Sequence, residues 1–171
     1  MEIRKTSLED MAEVLEIIEY GRQLQRSQSG IVQWPDDYPG ATDIHQDIEA
    51  GGSYVAYANE AEADLAAGTL LGTFFLQEEP DPYYENIAGA WLNEEPYVTI
   101  HRIASNGLAP GIGTKCIEWV MEHYDNIRID THKQNKPMRY IIEKLGFAYC
   151  GVIQVRDGTD RNAYHYVREE E

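Results

Sequence analysis

The fold is indicated most clearly by the segment of residues 101–119, HRIASNGLAPGIGTKCIEW. This segment begins inside the stretch YVTIHRIA, whose composition predicts a β-strand over Tyr97–Ala104. A loop follows at Ser105–Pro110, and apolar residues at helical spacing predict a helix from Gly111 to about His123. The chain therefore places a glycine-bearing loop between a strand and the first turn of an amphipathic helix.

This loop has the chemistry of an anion site. The first turn of a helix leaves backbone N–H groups without partners, and the helix dipole adds partial positive charge. Gly111 and Gly113 leave that turn open to a ligand, and Lys115 adds a nearby cation. The pattern matches neither GxxxxGK[ST] nor GxGxxG, so it favours neither a nucleoside triphosphate nor a dinucleotide. A glycine pair before a helix is most often just a turn, so the loop alone is a weak signal and leaves the ligand open.

Working outward, the remaining patterns predict one α/β domain over residues 1–171, with a mixed central sheet flanked by helices. Before the loop we predict strands at Glu2–Lys5, Ser53–Ala58 and Thr69–Leu76, a helix that begins at Ser7 and ends between Gly21 and Gly30, a helix at Thr42–Glu49, and loops at Ile31–Gly40, Asn59–Ala67 and Gln77–Glu95. After it we predict strands at Asn126–Thr131, Phe147–Val155 and Ala163–Val167, and a helix at Asn135–Leu145 that Gly146 ends.

The charge of the chain argues against several classes of partner. It has 14 basic and 30 acidic residues, a formal net charge of −16, whereas a nucleic-acid partner requires a basic face. No run of 18 apolar residues and no signal sequence is present, so we expect no membrane partner and a cytoplasmic location. Cys116 and Cys150 fit no metal-ligand spacing, so we expect no metal.

The charges are also unevenly distributed. Residues 27–101 contain 14 acidic residues and no Lys or Arg, while residues 102–144 contain seven basic and five acidic residues. Two explanations stay open. The acidic segment serves solubility alone, or a basic patch for an anionic ligand lies beside an acidic entrance for a cationic one.

The loop and its context resemble the GNAT superfamily of acyltransferases, bacterial subgroup, over nearly the whole chain. The family's loop is usually Arg or Gln, two residues, Gly, one residue, and Gly or Ala. Gly111, Ile112 and Gly113 match it, whereas Leu108 stands at the basic position and Ala109–Pro110 replace the common glycine and lysine. The resemblance implies the GNAT fold, with acetyl-CoA as co-substrate held mainly by backbone N–H groups.

A second block downstream is similar to the same family. Asn135 followed by Leu145–Gly146–Phe147 resembles the family's Asn and Gly-Phe signature, and the connector IVQWPDDYPG at Ile31–Gly40 resembles the bacterial subgroup. A helix N-cap is an equally good role for Asn135. The resemblance implies this acetyl-CoA-binding set: Ile103, Ala104, Gly111, Ile112, Gly113, Thr114, Lys115 and Asn135.

Amine acylation also requires a group that accepts the proton of the attacking amine. His101 is our first candidate, because a histidine occupies this place in some arylalkylamine-type relatives and imidazole ordinarily titrates near neutral pH. The competing interpretation is a partly buried histidine bonded to a neighbour. His132 is the second candidate. The tyrosine that many relatives use as general acid is replaced here by Ile142, and the resemblance implies that the oxyanion is met by backbone N–H near Ile103.

The resemblance implies an N-acetyltransferase that moves the acetyl group of acetyl-CoA to a primary amine, on a small molecule. Trp34, Tyr38 and Trp91, with Tyr83 and Tyr84, would line the acceptor cleft, and core packing is the competing interpretation. Two other functions stay open: a non-catalytic acyl-CoA-binding module, and acylation of a protein or peptide N-terminus. A homodimer is compatible with the sequence, which determines neither the oligomeric state nor the acceptor.

Overall fold

The computed structural model describes residues 1–59 and 64–170. Four residues of the predicted loop Asn59–Ala67, numbers 60–63, therefore lie outside the described residues. The strands are β1 (Glu2–Lys5), β2 (Ser53–Tyr57), β3 (Leu70–Gln77), β4 (Ala88–Gly89), β5 (Val98–Ser105), β6 (Asn126–Thr131), β7 (Ala148–Gln154) and β8 (Asp160–Val167). The helices are α1 (Met11–Ser29), α2 (Ala41–Glu49), α3 (Ile112–His123) and α4 (Lys136–Lys144), with short 3-10 turns at Leu8–Asp10 and Pro82–Tyr84.

The chain divides into two compact units. Unit 1 comprises Met1–Leu76 and His101–Ile117, and unit 2 comprises Gln77–Ile100 and Glu118–Glu171. Strand β5 and helix α3 each contribute residues to both units. Within the described residues, the eight strands form a mixed sheet flanked by helices, which confirms the predicted fold class. The expectation of one domain over residues 1–171 stays a prediction.

Unit 1 has the strand order β1–β2–β3–β5. Its core packs one face of α1 and α2 against the strands, because their apolar residues recur at helical spacing. The buried members of this core are Val14, Ile17, Ile18, Trp34, Ile44, Val55 and Leu70. Helix α1 ends at Gly30, whose φ of 65° is left-handed and whose N–H donates to the Arg26 carbonyl at 3.0 Å.

Helix α1 continues through Gly21, a residue with poor helix propensity. A Cβ atom at Gly21 would lie 3.0 Å from the Cβ of Ala104, so the glycine lets α1 approach β5 closely. Packing between α1 and β5 therefore explains why a glycine stands inside this helix.

Unit 2 has the strand order β5–β6–β8–β7–β4. The parallel register of β5 with β6 is Val98↔Ile127 and Thr99↔Arg128, while β6 and β7 both pair antiparallel with β8. Strand β8 begins three residues earlier than predicted, because the hairpin pairs Gln154 with Asp160.

The predicted loop Gln77–Glu95 contains two elements that we did not predict, the Pro82–Tyr84 turn and β4. Strand β4 pairs with β7 through Gly89↔Gly151. A Cβ on Gly89 would lie 2.1 Å from the Cys150 carbonyl oxygen, so this pairing depends on glycine. Across residues 1–59 and 64–170, no helix combines the length and the apolar character needed to cross a membrane.

Candidate functional site

The start of α3 has the geometry of an open helix N-terminus. Gly111 adopts a left-handed φ of 71°, and its carbonyl oxygen accepts the first helical hydrogen bond, from the Lys115 N–H at 3.0 Å. The N–H groups of Ile112, Gly113 and Thr114 lie within that first turn, where no helical carbonyl precedes them as an acceptor. Three adjacent amides therefore point out of the N-terminal end of α3.

The space beside these amides is open. A Cβ atom at Gly111 would meet no described atom within 4 Å. The Ile112 side chain is buried in the core, Gly113 and Thr114 are half-buried, and Lys115 is exposed. The local shape therefore fits an anion at the helix start, with a cation one turn along.

The preceding loop is held against β3 by Asn106. Its backbone N–H donates to the Leu71 carbonyl at 3.1 Å, and its side-chain amide donates to the Leu70 carbonyl at 2.8 Å. Its side-chain oxygen accepts from the Leu108 N–H at 3.2 Å, which closes a turn. Gly107 completes that turn at φ 75°, where a Cβ would lie 2.4 Å from the Tyr20 hydroxyl.

A glycine in β3 sets the position of the helix start. A Cβ atom at Gly72 would lie 2.8 Å from a methyl group of Ile112 and 3.1 Å from the Ala104 carbonyl oxygen. Only glycine leaves room for the first residue of α3 to pack on the strand at this point.

Strand β5 carries an irregularity at Arg102, whose φ is 50°. The Arg102 guanidinium forms a two-point ion pair with Asp47 of α2, with Nε–Oδ2 at 2.7 Å and Nη2–Oδ1 at 2.6 Å. Its Nη1 donates to the Tyr38 hydroxyl at 3.1 Å, and its carbon Cζ lies 4.7 Å from the centre of the Phe75 ring. The side chains of Arg102 and Asp47 are 16% and 8% exposed, so the pair is largely withdrawn from water.

The charges in this pair act on each other's titration. Burial raises the pKa of the Asp47 carboxyl, and the hydrogen bonds from Arg102 act in the opposite direction. Burial acts to lower the pKa of Arg102, but hydrogen bonding and charge from Asp47 leave that pKa raised. Arg102 is therefore a cation at any pH at which the protein is folded.

The predicted base His101 and the predicted acceptor-side residue Tyr38 lie around this pair. His101 is half-buried, stacks on Phe75 with 6.5 Å between ring centres, and is close enough to Asp47 for its charge to influence that carboxyl. Tyr38 is half-buried and bonds Arg102. Trp34, in contrast, is 8% exposed and belongs to the core of unit 1.

The predicted residues of unit 2 take part in local structure. Asn135 caps α4, since its side-chain oxygen accepts from the Met138 N–H at 3.4 Å. The Nδ1 atom of His132 accepts from the Gln134 N–H at 3.1 Å, and burial lowers the pKa of His132, with Arg161 and Lys133 acting in the same direction. His132 therefore helps shape the turn before α4.

The aromatic residues of unit 2 pack around Arg128. Trp91 is 8% exposed, donates from its indole nitrogen to the Tyr84 carbonyl at 3.0 Å, and lies 4.2 Å from the Arg128 guanidinium. Ile142, at the position of the usual acid, is fully buried. The acceptor role of Trp91 stays a prediction, and the contacts here are those of a packed core.

Sequence reasoning missed Asn106, Gly72 and the Arg102–Asp47 pair. The dipeptide Asn106–Gly107 is a turn signal, so Asn106 could have been recognised from the sequence. Gly72 could have been recognised as well, because an isolated glycine in a strand pattern indicates close backbone approach. The ion pair joins residues 55 positions apart and had no such signal.

No family model matches the chain, and no curated protein does. A solved GNAT-family acetyltransferase from Streptococcus agalactiae 2603 is 29% identical, with a TM-score of 0.86 over 99% of this chain and 96% of that one. The chain therefore has the GNAT fold, and this neighbour supports the GNAT superfamily. This confirms the resemblance seen in the loop and in the block after Asn135.

Other GNAT structures are more distant and show the fold alone. A GNAT-family acetyltransferase from Listeria monocytogenes 4b F2365 is 19% identical, with a TM-score of 0.68 over 97% of this chain and 94% of that one. A ribosomal-protein-alanine N-acetyltransferase from Brucella melitensis is 15% identical, with a TM-score of 0.63 over 98% of this chain and 99% of that one. The GNAT fold is therefore matched over nearly the full length in each case.

Proposed function

We propose that this GNAT protein transfers the acetyl group of acetyl-CoA to the primary amine of a small molecule. The open first turn of α3 carries the proposal, because the amides of Ile112, Gly113 and Thr114 and the space beside Gly111 fit a diphosphate. Lys115 supplies a positive charge one turn along. The GNAT neighbours support acetyl transfer as the general activity.

The backbone of β5 would bind the rest of the co-substrate. The register with β6 covers Val98 and Thr99, so Ile103 and Ala104 lie beyond those pairs along the strand. Their backbone groups would bond the pantetheine arm, and the Ile103 N–H would meet the thioester carbonyl as negative charge develops on it. Asn135 is proposed as a further contact, on the resemblance alone.

In the reaction, the neutral amine nitrogen attacks the thioester carbon, and the C–S bond breaks as the C–N bond forms. His101 would take the proton that the amine loses, and the half-buried position of its ring leaves it accessible to a substrate. His132 is the weaker candidate, because its Nδ1 already accepts a backbone hydrogen bond. With Ile142 buried at the usual acid position, the departing thiolate would take its proton from water.

The acceptor is proposed to be cationic before it is deprotonated. The support is the absence of Lys and Arg from residues 27–101, which carry 14 acidic residues, since a negative field attracts a protonated amine. Tyr38, half-buried beside Arg102 and packed on the core that contains Trp34, would be the aromatic contact. Trp91 is kept as an acceptor-side candidate on the resemblance alone.

One observation favours a second candidate function. Ile142 offers no proton where many relatives have the tyrosine acid, and it is fully buried. A GNAT domain that binds acyl-CoA without turnover is therefore the alternative.

Two measurements separate the candidates. Isothermal titration with acetyl-CoA reports binding, and thiol release from acetyl-CoA reports turnover with a panel containing an arylalkylamine, a polyamine, an aminoglycoside and a peptide with an N-terminal alanine. Binding together with turnover of a small amine supports the proposal. Binding without any turnover favours the non-catalytic module, turnover of the peptide alone places the acceptor among polypeptides, and absence of binding refutes both acyl-CoA functions.

A further inference from the structure

Arg102 adopts a backbone conformation that the sequence gives no reason to expect. A φ of 50° is common for glycine and tolerated by asparagine, but it is unfavourable for a residue with a long side chain in the middle of a strand. Such a conformation persists only where surrounding contacts hold it, and it is found preferentially at functional sites.

Contacts from three elements hold the Arg102 side chain. Asp47 of α2 engages two of its nitrogens, the Tyr38 hydroxyl of the connector engages a third, and the Phe75 ring of β3 lies under the guanidinium. All four side chains belong to unit 1. Because the guanidinium is planar and bonded at three nitrogens, its position and orientation are both fixed.

The fixed guanidinium also determines the direction of the next peptide N–H. In a regular strand successive N–H groups alternate in direction, and a left-handed residue breaks that alternation for the residue that follows. The residue that follows is Ile103. We propose that the Arg102–Asp47 ion pair is a positioning device that directs the Ile103 N–H toward the thioester carbonyl, an inference that rests on the proposed function.

A merely structural ion pair would behave differently. If the pair only fills and neutralises a buried site, then glycine at position 102 should be worse than alanine, because glycine weakens a strand interior. If the pair serves to hold a left-handed backbone, glycine should be better than alanine, because glycine reaches a φ near 50° without a steric penalty.

The test compares two double variants that both lack the ion pair and differ by one methyl group, Asp47→Asn/Arg102→Ala and Asp47→Asn/Arg102→Gly. Asparagine at position 47 avoids a buried unpaired charge, which would otherwise obscure the comparison. The control is Arg4→Ala, since Arg4 and Asp10 form another two-point ion pair in unit 1, at 2.8 and 3.1 Å, away from β5. Thiol release is measured with acetyl-CoA and the best amine of the panel, together with the melting temperature.

We expect the alanine double variant to lose roughly tenfold to a hundredfold in kcat, with the KM for acetyl-CoA changed by less than about threefold, because a misplaced group affects the transition state most. The glycine double variant should recover at least about fivefold of that loss in kcat, because glycine adopts a φ near 50° without the steric penalty of alanine. The control should retain wild-type kcat.

Equal kcat values for the two double variants, or a lower value for glycine, would overturn the inference while leaving the proposed function intact. Wild-type kcat in the alanine variant would overturn it as well. If the alanine variant does not fold, the single variants Asp47→Asn and Tyr38→Phe decide: a loss in kcat at unchanged acetyl-CoA KM supports the inference, and unchanged kcat in both overturns it. Failure of the wild-type protein to release thiol would instead overturn the proposed function.

Discussion

Replacing Gly111 with alanine tests the assignment of the α3 N-terminus. A Cβ at Gly111 meets no atom of residues 1–59 or 64–170 within 4 Å, so the substitution causes no clash with the described part of the protein. Its cost in stability comes from the left-handed φ of 71° and should be about 1–2 kcal/mol. The same methyl group would stand beside the amides that are proposed to bind the diphosphate.

Gly30 offers a matched control. It has a left-handed φ of 65°, and a Cβ there also meets no described atom within 4 Å, but it lies at the end of α1 rather than at a helix start. Gly30→Ala should therefore show the same loss of stability and no change in ligand binding. Any difference in binding between the two variants then reports the ligand site and not the strain.

The expected change in affinity follows from one lost hydrogen bond to a charged group, about 1.5–3 kcal/mol. The Kd for acetyl-CoA should rise roughly tenfold to a hundredfold in Gly111→Ala. The assay is isothermal titration of both variants with acetyl-CoA. S-acetylpantetheine, which lacks the diphosphate, should bind Gly111→Ala and the wild type with equal affinity. Equal acetyl-CoA affinity in the two alanine variants would refute the assignment.

Three further outcomes are expected. His101→Ala should lower kcat roughly a hundredfold or more and flatten the acidic limb of the kcat–pH profile; a wild-type profile would remove His101 from the mechanism. Arg4 lowers the pKa of Asp10 to about 2, so its stabilising effect is present above pH 4 and is lost as the pH falls toward 2. On acidification, the free energy of unfolding should fall less in Asp10→Asn than in the wild type, by about 1 kcal/mol or less because the pair is partly exposed. Chemical unfolding measures this, and an equal fall in both proteins would contradict it. Gly72→Ala should displace Ile112, 2.8 Å from the added carbon, and weaken acetyl-CoA binding, whereas wild-type titrations would show that the helix start does not depend on it.

The sequence was most informative where the signals are local. Strand β6 has the predicted bounds of Asn126–Thr131, and α4 has the predicted cap at Asn135 and the predicted left-handed glycine at Gly146. Caps, turns and periodicity involve residues a few positions apart, so one sequence suffices to recognise them.

It was least informative where an element depends on a distant partner. Strand β4 is two residues long and forms only because Gly89 meets Gly151 on β7, 62 positions away. The loop around it contains no strand pattern, so the prediction of an irregular segment was wrong at this point. Gly21 similarly looked like a weak point in a helix, and its close approach to Ala104 supplies the reason for it.

The candidate site divides in the same way. Gly111 and its neighbours were found because a strand, a glycine loop and a helix follow each other along the chain. The Arg102–Asp47 pair joins β5 to α2, and an arginine in a strand pattern next to a histidine carries no sign of a left-handed φ. Backbone conformations imposed by tertiary contacts leave no local pattern to recognise.

Unit 1 also brings a residue predicted to bind the acceptor into contact with the strand predicted to bind acetyl-CoA. Ala104 lies close to Gly21 of α1, and Arg102 is held by Asp47 of α2 and by Tyr38 of the connector. Tyr38, the proposed acceptor contact, therefore bonds a residue of the strand that is proposed to bind acetyl-CoA. A change in that region would alter the direction of backbone groups in β5 without touching the co-substrate. The proposed acceptor and acetyl-CoA functions should therefore not vary independently, and variants at Tyr38 should change kcat as well as the KM for the amine.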